Sequence, residues 1–217
     1  MNDLPPQPSA LSAPAAPAAL SAPAVPAALV TDQSIRHLVA QYLDRFPDQA
    51  ERLAVFTDAL ADGEHLTDRK TLPGHVTVGA FVVDDRGRLL QIAHKALGRW
   101  LNPGGHTEPG DATLADAARR ELREETGLAA EHLVLLGDPE LPLAVDVHRI
   151  PANPAKAEPD HWHFDFRYAF RLTGPAAAIE LQLDEVDDHR WIPFEDAGLG
   201  PDTARLAEVL GPVGAAD

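Results

Sequence analysis

Three glutamates, Glu121, Glu124 and Glu125, lie close together in a segment that predicts a helix from about residue 112 to residue 126. At 100° per residue, Glu125 falls about 40° and Glu124 about 60° from Glu121, so the three carboxylates share one side of the helix. The apolar residues of the same helix also lie on that side: Leu114, Ala117 and Ala118. Glu121 and Glu125 therefore point in the direction in which the helix is buried.

Such an arrangement requires a cation nearby. Like charges three and four residues apart on a helix repel, and partial burial adds a desolvation cost. Arg120 is within reach of Glu124 or of a loop group, and a divalent ion is the other candidate. Carboxylate oxygens suit Mg²⁺ or Mn²⁺, and the preceding loop with Gly104 and Gly105 offers a backbone carbonyl. A solvated acidic patch with salt bridges is the alternative.

The segment from Gly105 to Leu128 resembles the Nudix box, G-x5-E-x7-R-E-U-x-E-E-x-G-U with U apolar. Residues 120–128, RELREETGL, match its second half at every specified position. The first half differs in two ways. Asp111 replaces the glutamate, and eight residues rather than seven separate it from Arg120. Both differences fall where the loop meets the predicted helix, for which Asp111 is a candidate N-cap and Gly127 a candidate C-cap.

The resemblance implies hydrolysis of a nucleoside diphosphate derivative, with water attacking phosphorus and Mg²⁺ or Mn²⁺ assisting. By the same resemblance, Glu121, Glu124 and Glu125 would be catalytic metal ligands, one of them a candidate to deprotonate the water. The Gly105 carbonyl would complete the metal shell, and Arg120 would orient a glutamate. Nudix enzymes often use a further carboxylate from outside the box, which no motif identifies in this sequence.

Candidate substrate-binding residues lie on both sides of the box. Lys95 and Arg99 precede the glycine-rich loop and could hold phosphates or ribose, although both could equally be solvated surface cations. Two candidate strands have alternating polar residues that share one face: Asp146, His148, His161, His163 and Asp165. If these strands pair, the cluster forms a substrate-pocket rim including His148 and His163, a general base or an accessory metal site. A hydrogen-bonded polar face is the alternative.

The remaining pattern predicts an α/β fold, a mixed sheet between helices. Strand candidates cover 75–83, 89–94, 132–136, 143–150, 162–172 and 189–192, and a last helix covers 202–210. The resemblance makes this a Nudix-type α/β/α sandwich over residues 66–217. Residues 31–65 predict an added helical hairpin, with Pro47 between its helices, Asp48 as a candidate cap of the second and Gly63 at its end.

Residues 1–30 have the composition of a disordered tail. They contain the nine-residue repeat SAPAAPAAL, SAPAVPAAL at 12–29, in which frequent prolines prevent helix and sheet from propagating. An inert leader is the main interpretation, and an arm that docks on a partner is the alternative.

Composition excludes several classes of protein. The 217 residues include 18 Lys and Arg against 34 Asp and Glu, a net charge of -16, which disfavours nucleic acid and anionic membrane surfaces as partners. The absence of cysteine excludes disulfides, thiol catalysis and thiolate metal sites, and it argues against the isomerase chemistry of this fold, which generally needs cysteine. Without an apolar run long enough to span a membrane and without a signal-like start, a cytoplasmic protein is expected.

The sequence thus predicts a metal-dependent pyrophosphohydrolase acting on a small-molecule nucleoside diphosphate derivative. A non-catalytic module of the same fold, used for ligand sensing or interaction, is the alternative, although the intact run from Arg120 to Glu125 argues against it. ADP-ribose, nucleotide sugars, dinucleoside polyphosphates and oxidised nucleotides all remain candidate substrates. The oligomeric state is open, and a homodimer is one arrangement the sequence allows.

Overall fold

The computed structural model describes residues 30–63, 65–154, 157–173 and 179–211. The predicted tail, apart from Val30, lies outside these residues. The helices are α1 (Asp32–Arg45), α2 (Ala54–Asp62), α3 (Leu114–Thr126) and α4 (Asp202–Leu210). The strands are β1 (Gly74–Val83), β2 (Arg88–His94), β3 (Arg99–Leu101), β4 (Gly104–His106), β5 (Leu133–Leu136), β6 (Ala144–Ile150), β7 (His161–Leu172) and β8 (Val186–Pro193).

A parallel pair, β1 and β7, forms the centre of one eight-stranded mixed sheet. The other pairings are antiparallel: β4 and β2 lie along β1, β5 and β6 along β7, and β3 and β8 along β2. β4 pairs with residues 77–79 of β1, whereas β6 pairs with residues 161–167 of β7. The first halves of β1 and β7 are therefore flanked by β4 on one side and β6 on the other.

Helices cover both faces of the sheet, which confirms the expected α/β sandwich. Alternate β1 residues such as Val76 and Val78 belong to a core cluster that includes residues of α1, α2 and α3. On the opposite face, Phe81 packs with Leu206 and Leu210 of α4 in a second cluster. That second cluster covers only the last half of β1, because the same face of the first half has polar side chains instead, among them His75 and Thr77.

The predicted hairpin forms and packs into the main core. Thr31 caps α1 through a reciprocal pair of hydrogen bonds with Ser34, at 3.1 and 2.9 Å. The ring of Phe56 on α2 stacks on Phe164 of β7 at a centroid distance of 4.3 Å. Asp48 is not the cap of the second helix: residues Pro47–Gln49 form a separate 3₁₀ turn, and α2 begins only at Ala54.

The predicted N-cap of α3 is also wrong. The Thr113 hydroxyl accepts a hydrogen bond from the Asp116 amide at 3.1 Å and caps a helix that begins at Leu114. The additional residue in this segment places Asp111 two positions before the cap. There its carboxylate binds the Arg120 guanidinium and does not cap the helix. Gly127 ends the helix in the left-handed region at φ 70°, as predicted.

Most predicted strands match observed strands to within three residues, but β3 and β4 were not predicted. Each has three residues, and β4 contains two glycines, so neither has an apolar alternation that sequence could reveal. β8 begins at Val186, three residues before its predicted start, so it includes Asp187 and Asp188. Within the described ranges, no helix combines the length and apolar character needed to cross a membrane.

Replacing Phe56 with alanine tests whether the hairpin and the sheet share one core. The Phe56 side chain is fully buried, so Phe56→Ala should lower the free energy of unfolding by about 3–5 kcal/mol. The neighbouring Val55 is 41 % exposed, and Val55→Ala should change it by less than about 0.5 kcal/mol. Urea denaturation measures both; equal effects of the two variants would contradict a shared core.

Candidate active site

A cleft of about 950 Å³ opens between α3 and the polar half of the β1–β7 pair. The carboxylates of α3 that line it are Glu121, Glu124 and Glu125. The sheet contributes Thr77, Asp165 and Arg167, with His148 and His163, and the turn with Gly104 and Gly105 lies between helix and sheet. Gln182, Asp184 and Glu185, which precede β8, complete the wall.

Arg120 connects the start of the box to its helix. Its Nε and Nη2 atoms donate to the two Asp111 carboxylate oxygens at 3.0 and 3.1 Å, and Nη2 also donates to the His106 carbonyl at 2.7 Å. Burial alone would lower the pKa of Arg120, but the hydrogen bonds to Asp111 and Glu121 raise it above its ordinary value. Asp111 therefore holds a permanently charged guanidinium, and its other hydrogen bond is from the Glu108 amide at 2.7 Å.

The same guanidinium orients two carboxylates of α3. Its Nη1 atom donates to Glu121 Oε1 at 3.0 Å and to Glu124 Oε2 at 3.2 Å. The contact with Glu124 follows from helical spacing, which places Glu124 one turn after Arg120. Glu121 lies about 100° further around the helix, and the long arginine side chain still reaches it. One cation thus limits the rotation of two side chains that would otherwise repel each other.

Two glycines allow the carboxylates to approach the backbone of β4. A Cβ atom on Gly105 would lie 2.5 Å from the Glu121 carboxyl carbon, so no larger residue fits while Glu121 keeps its place. Gly104 donates its amide to Glu125 Oε2 at 2.9 Å, and a Cβ there would lie 2.3 Å from the Val78 carbonyl oxygen. Glycine is therefore required at both positions, because a Cβ would meet Glu121 at Gly105 and the Val78 backbone at Gly104.

Burial and mutual repulsion disfavour the ionised forms of Glu121 and Glu125. Burial raises the pKa of Glu125 to about 8; the Gly104 hydrogen bond lowers it, and the charges of Glu121, Glu185 and Glu124 raise it further. Burial likewise raises the pKa of Glu121, against the opposing effect of Arg120. Buried oxygen donors that resist ionisation when metal-free are a set that a hard divalent cation would stabilise. Mg²⁺ or Mn²⁺ fits this donor set.

The polar cluster predicted on β6 and β7 forms, but it divides into two parts. β6 and β7 pair with Asp146 opposite Asp165 and His148 opposite His163. The two aspartates are both bound by Arg167, whose Nη2 and Nε atoms lie 2.8 and 2.9 Å from their oxygens. The carboxylates of the cluster therefore form a hydrogen-bonded polar face.

Arg167 forms a third ion pair, with Asp202 of α4 at 2.8 Å. Burial alone would lower its pKa, but the charges of Asp165 and Asp146 raise it, so the arginine stays charged. Burial alone would raise the pKa of Asp146; the hydrogen bond from His148 and the charge of Arg167 lower it well below its usual range. Asp146 is therefore a poor proton acceptor near neutral pH.

The second part is a histidine cluster, formed by His75, His106, His148, His161 and His163. His75 comes from β1 and His106 from β4, and sequence reasoning assigned neither to the cluster. The His163 ring centroid lies 4.9 to 5.6 Å from the other four. Burial, followed by the proximity of the other rings, lowers the pKa of His163 to about 2, so this imidazole is neutral.

The two predicted basic residues differ in position. Lys95 lines the cleft, with its ammonium group against the Leu183 carbonyl and 3.4 Å from Asp187. Arg99 is exposed on β3 and is not among the described residues that line the cleft. Arg69 does line it and was missed, because it lies in an irregular segment before β1 that has no motif.

Comparison with known proteins identifies the class. Residues 73–210 match the family model described as NUDIX domain, which is more than half of the chain. The chain therefore belongs to the NUDIX family. The matched range contains every element from β1 to α4, including α3 and the glycine pair, whereas α1 and α2 lie outside it.

The curated relatives match only parts of the chain. An RNA pyrophosphohydrolase of Erythrobacter litoralis is 28% identical over 110 residues, 47% of this chain and 63% of the relative. The phosphatase NudJ of Escherichia coli K12 is 48% identical over 59 residues, 26% of this chain and 37% of the relative. The chain thus matches less than two thirds of the length of these curated relatives.

Among solved structures, the binary complex of a C. elegans Ap4A hydrolase has a TM-score of 0.50 at 19% identity. The match covers 62% of this chain and 96% of the other. At this level of identity the likeness shows a common fold.

Glu125→Gln tests how much the buried Glu125 charge lowers the free energy of unfolding. The folded-state pKa of about 8 exceeds the ordinary 4.5, so stability present at acidic pH is lost as pH rises between these values. In EDTA, the stability advantage of the variant over wild type should grow by at least about 1 kcal/mol as the pH rises from about 5 to about 9.

Urea denaturation at several pH values measures this difference. Glu208→Gln, an exposed change on α4, is the matched control and should follow the wild-type pH dependence. If Glu125→Gln also followed it, the Glu125 carboxylate would not have the raised pKa.

Proposed function

We propose that this chain is a metal-dependent pyrophosphohydrolase that uses water to cleave a pyrophosphate bond in a small nucleoside diphosphate derivative. The observation that supports this most is the convergence of three α3 carboxylates on one cleft beside Gly104 and Gly105. Membership of the NUDIX family agrees with it. Two relatives named as a pyrophosphohydrolase and a phosphatase match the chain in part, which favours phosphoric anhydrides as the substrate class.

In this proposal Glu121, Glu124 and Glu125 bind Mg²⁺ or Mn²⁺, with the Gly105 carbonyl as a further ligand. A bound divalent cation polarises phosphoryl oxygens, lowers the pKa of water and neutralises charge on the leaving group. The chain supplies the geometry: the carboxylates are fixed before a substrate arrives, so little reorganisation accompanies the reaction.

Arg120 and Asp111 are positioning residues in this reaction. Arg120 holds two carboxylates in place through Nη1, while Asp111 holds the guanidinium from the opposite side. A carboxylate of the cleft accepts the proton of the attacking water. Glu185 provides a candidate from outside the box, since it lines the cleft and its charge acts on Glu125.

The outer part of the cleft receives the remaining substrate. Arg69 and Lys95 are exposed there and can contact phosphate oxygens, for which Lys95 would exchange its contact with Asp187. His148 and His163 line the same wall and offer ring nitrogens to ribose or phosphate. A cleft of about 950 Å³ is of a size that encloses a small-molecule ligand. The net charge of -16 disfavours extended contacts with nucleic acid.

A substrate panel tests the proposal. ADP-ribose, nucleotide sugars, dinucleoside polyphosphates, oxidised nucleoside triphosphates and an RNA with a 5′ pyrophosphate are incubated with Mg²⁺ or Mn²⁺, and phosphate-containing products are separated chromatographically. We expect turnover of at least one small molecule, abolished by EDTA. Binding without turnover would instead support a ligand-sensing module, and cleavage of the RNA alone would overturn the small-molecule assignment.

Glu124→Gln and Glu125→Gln should each lower kcat by about 100-fold or more, because each removes a charged donor from the cation site. Both variants should remain folded by circular dichroism. Glu208→Gln on α4 is the control and should retain wild-type turnover. Wild-type rates in Glu125→Gln would refute the assignment of metal ligands.

Arg120→Lys should lower kcat by about 10- to 100-fold, because a lysine cannot bind Asp111 in bidentate form and orient Glu121 at the same time. The concentration of Mg²⁺ needed for half-maximal rate should rise in parallel. Arg119→Lys is the matched control, since Arg119 on the same helix pairs with Asp116. A lower stability with an unchanged Mg²⁺ requirement would make Arg120 merely structural.

A further inference from the structure

Three histidines from three strands lie close enough to bind one metal ion. His75 on β1, His106 on β4 and His163 on β7 each offer a ring nitrogen, and these atoms lie within 4.8 Å of one another. Backbone pairing fixes the arrangement. His75 is opposite His163 in the parallel pair, and His106 is opposite Thr77, the next β1 residue on the same face.

His75 has the hydrogen bonding of a metal ligand. Its Nδ1 lies 3.2 Å from the Thr71 carbonyl oxygen, so Nδ1 has the proton and Nε2 has the lone pair. The residue is 2 % exposed, and its buried Nε2 has no hydrogen-bond partner among the described residues. Metal-binding histidines typically donate their other ring N–H to a carbonyl or carboxylate in this way.

His161 lies two residues before His163, on the same face of β7. Its Nδ1 donates to the Pro159 carbonyl oxygen at 2.9 Å, and its Nε2 forms a 3.3 Å hydrogen bond with Nε2 of His163. In a tetrahedral zinc site, with Zn–N bonds near 2.0–2.1 Å, ligand nitrogens lie about 3.3 Å apart. The three donors within 4.8 Å of one another must therefore close by about 1.5 Å at most, which side-chain rotation can supply.

We propose that His75, His106 and His163 form a second metal site, separate from the carboxylate site and selective for a divalent transition metal of the zinc class. Imidazole nitrogen favours Zn²⁺, Co²⁺ or Ni²⁺ over Mg²⁺, whereas the oxygen donors of α3 have the opposite preference. Asp165, which lies on the same face of β7 as His163, is already bound by Arg167 and Thr77. The donor set is therefore three imidazole nitrogens.

This site adjoins the cleft. His106 and His163 both line it, and His106 directly follows Gly105 in β4. Three protein ligands leave a fourth position, as in zinc sites that also bind water or an anion. An ion held there would place a positive charge in an otherwise acidic cleft, where a phosphate oxygen of a bound molecule could take the fourth position.

Zinc binding by the full chain, measured calorimetrically with Mg²⁺ in large excess, tests the proposal. The Mg²⁺ occupies oxygen sites, so one Zn²⁺ per chain should still bind. Co²⁺ in place of Zn²⁺ should give the intense visible absorption of a tetrahedral nitrogen site. No binding of either ion under these conditions would overturn the proposal.

Variants assign the ligands. His163→Ala and His106→Ala should each weaken Zn²⁺ affinity at least about 10-fold, and His75→Gln, which preserves volume at the buried position, should do the same. Exposed His37→Ala on α1 is the matched histidine control, and Glu124→Gln tests independence from the carboxylate site; both should bind zinc as wild type does. Zinc binding lost in Glu124→Gln, or retained in all three cluster variants that fold by circular dichroism, would refute the site.

Discussion

The candidate site depends on one guanidinium group and on the five oxygens it binds. Arg120 contacts Asp111 twice, the His106 carbonyl once, and the carboxylates of Glu121 and Glu124. These contacts join the loop that follows β4 to the middle of α3. Because two of the partners repel each other, the arginine both supplies attraction and fixes direction. A lysine could neutralise the charge, but it has no planar fork with which to bind opposite sides at once.

The parallel β1–β7 pair imposes a second constraint, because it places His75 and Thr77 of β1 beside the polar residues of β7 on one face of the sheet. Their shared face is apolar where α4 covers it and polar where the cleft opens. On the polar half, charge is separated by type: Arg167 binds the carboxylates of Asp146 and Asp165, and the histidines gather nearer the strand starts. The cleft thus has an oxygen-donor wall on α3 and a nitrogen-donor wall on the sheet.

Local pattern was enough to predict much of this arrangement. Helical spacing predicted that Glu121 and Glu125 face inward and that Arg120 reaches Glu124, and alternation predicted one shared face for His148 and His163. The role of Asp111 could not be predicted, because one additional residue moves the helix cap to Thr113 and only the fold shows which partner remains. His75 joins the cluster through a parallel pairing between strands 88 residues apart, for which no local signal exists.

The helical hairpin contacts a strand that lines the cleft. The Tyr42 hydroxyl accepts the Val145 amide at 3.3 Å, and Arg52, between the two helices, binds Asp146. The hairpin therefore buttresses β6 from outside the matched NUDIX range. His148 and Ile150 of this strand line the cleft, so a change in the hairpin would alter the sheet wall of the cleft without altering a single residue of the box.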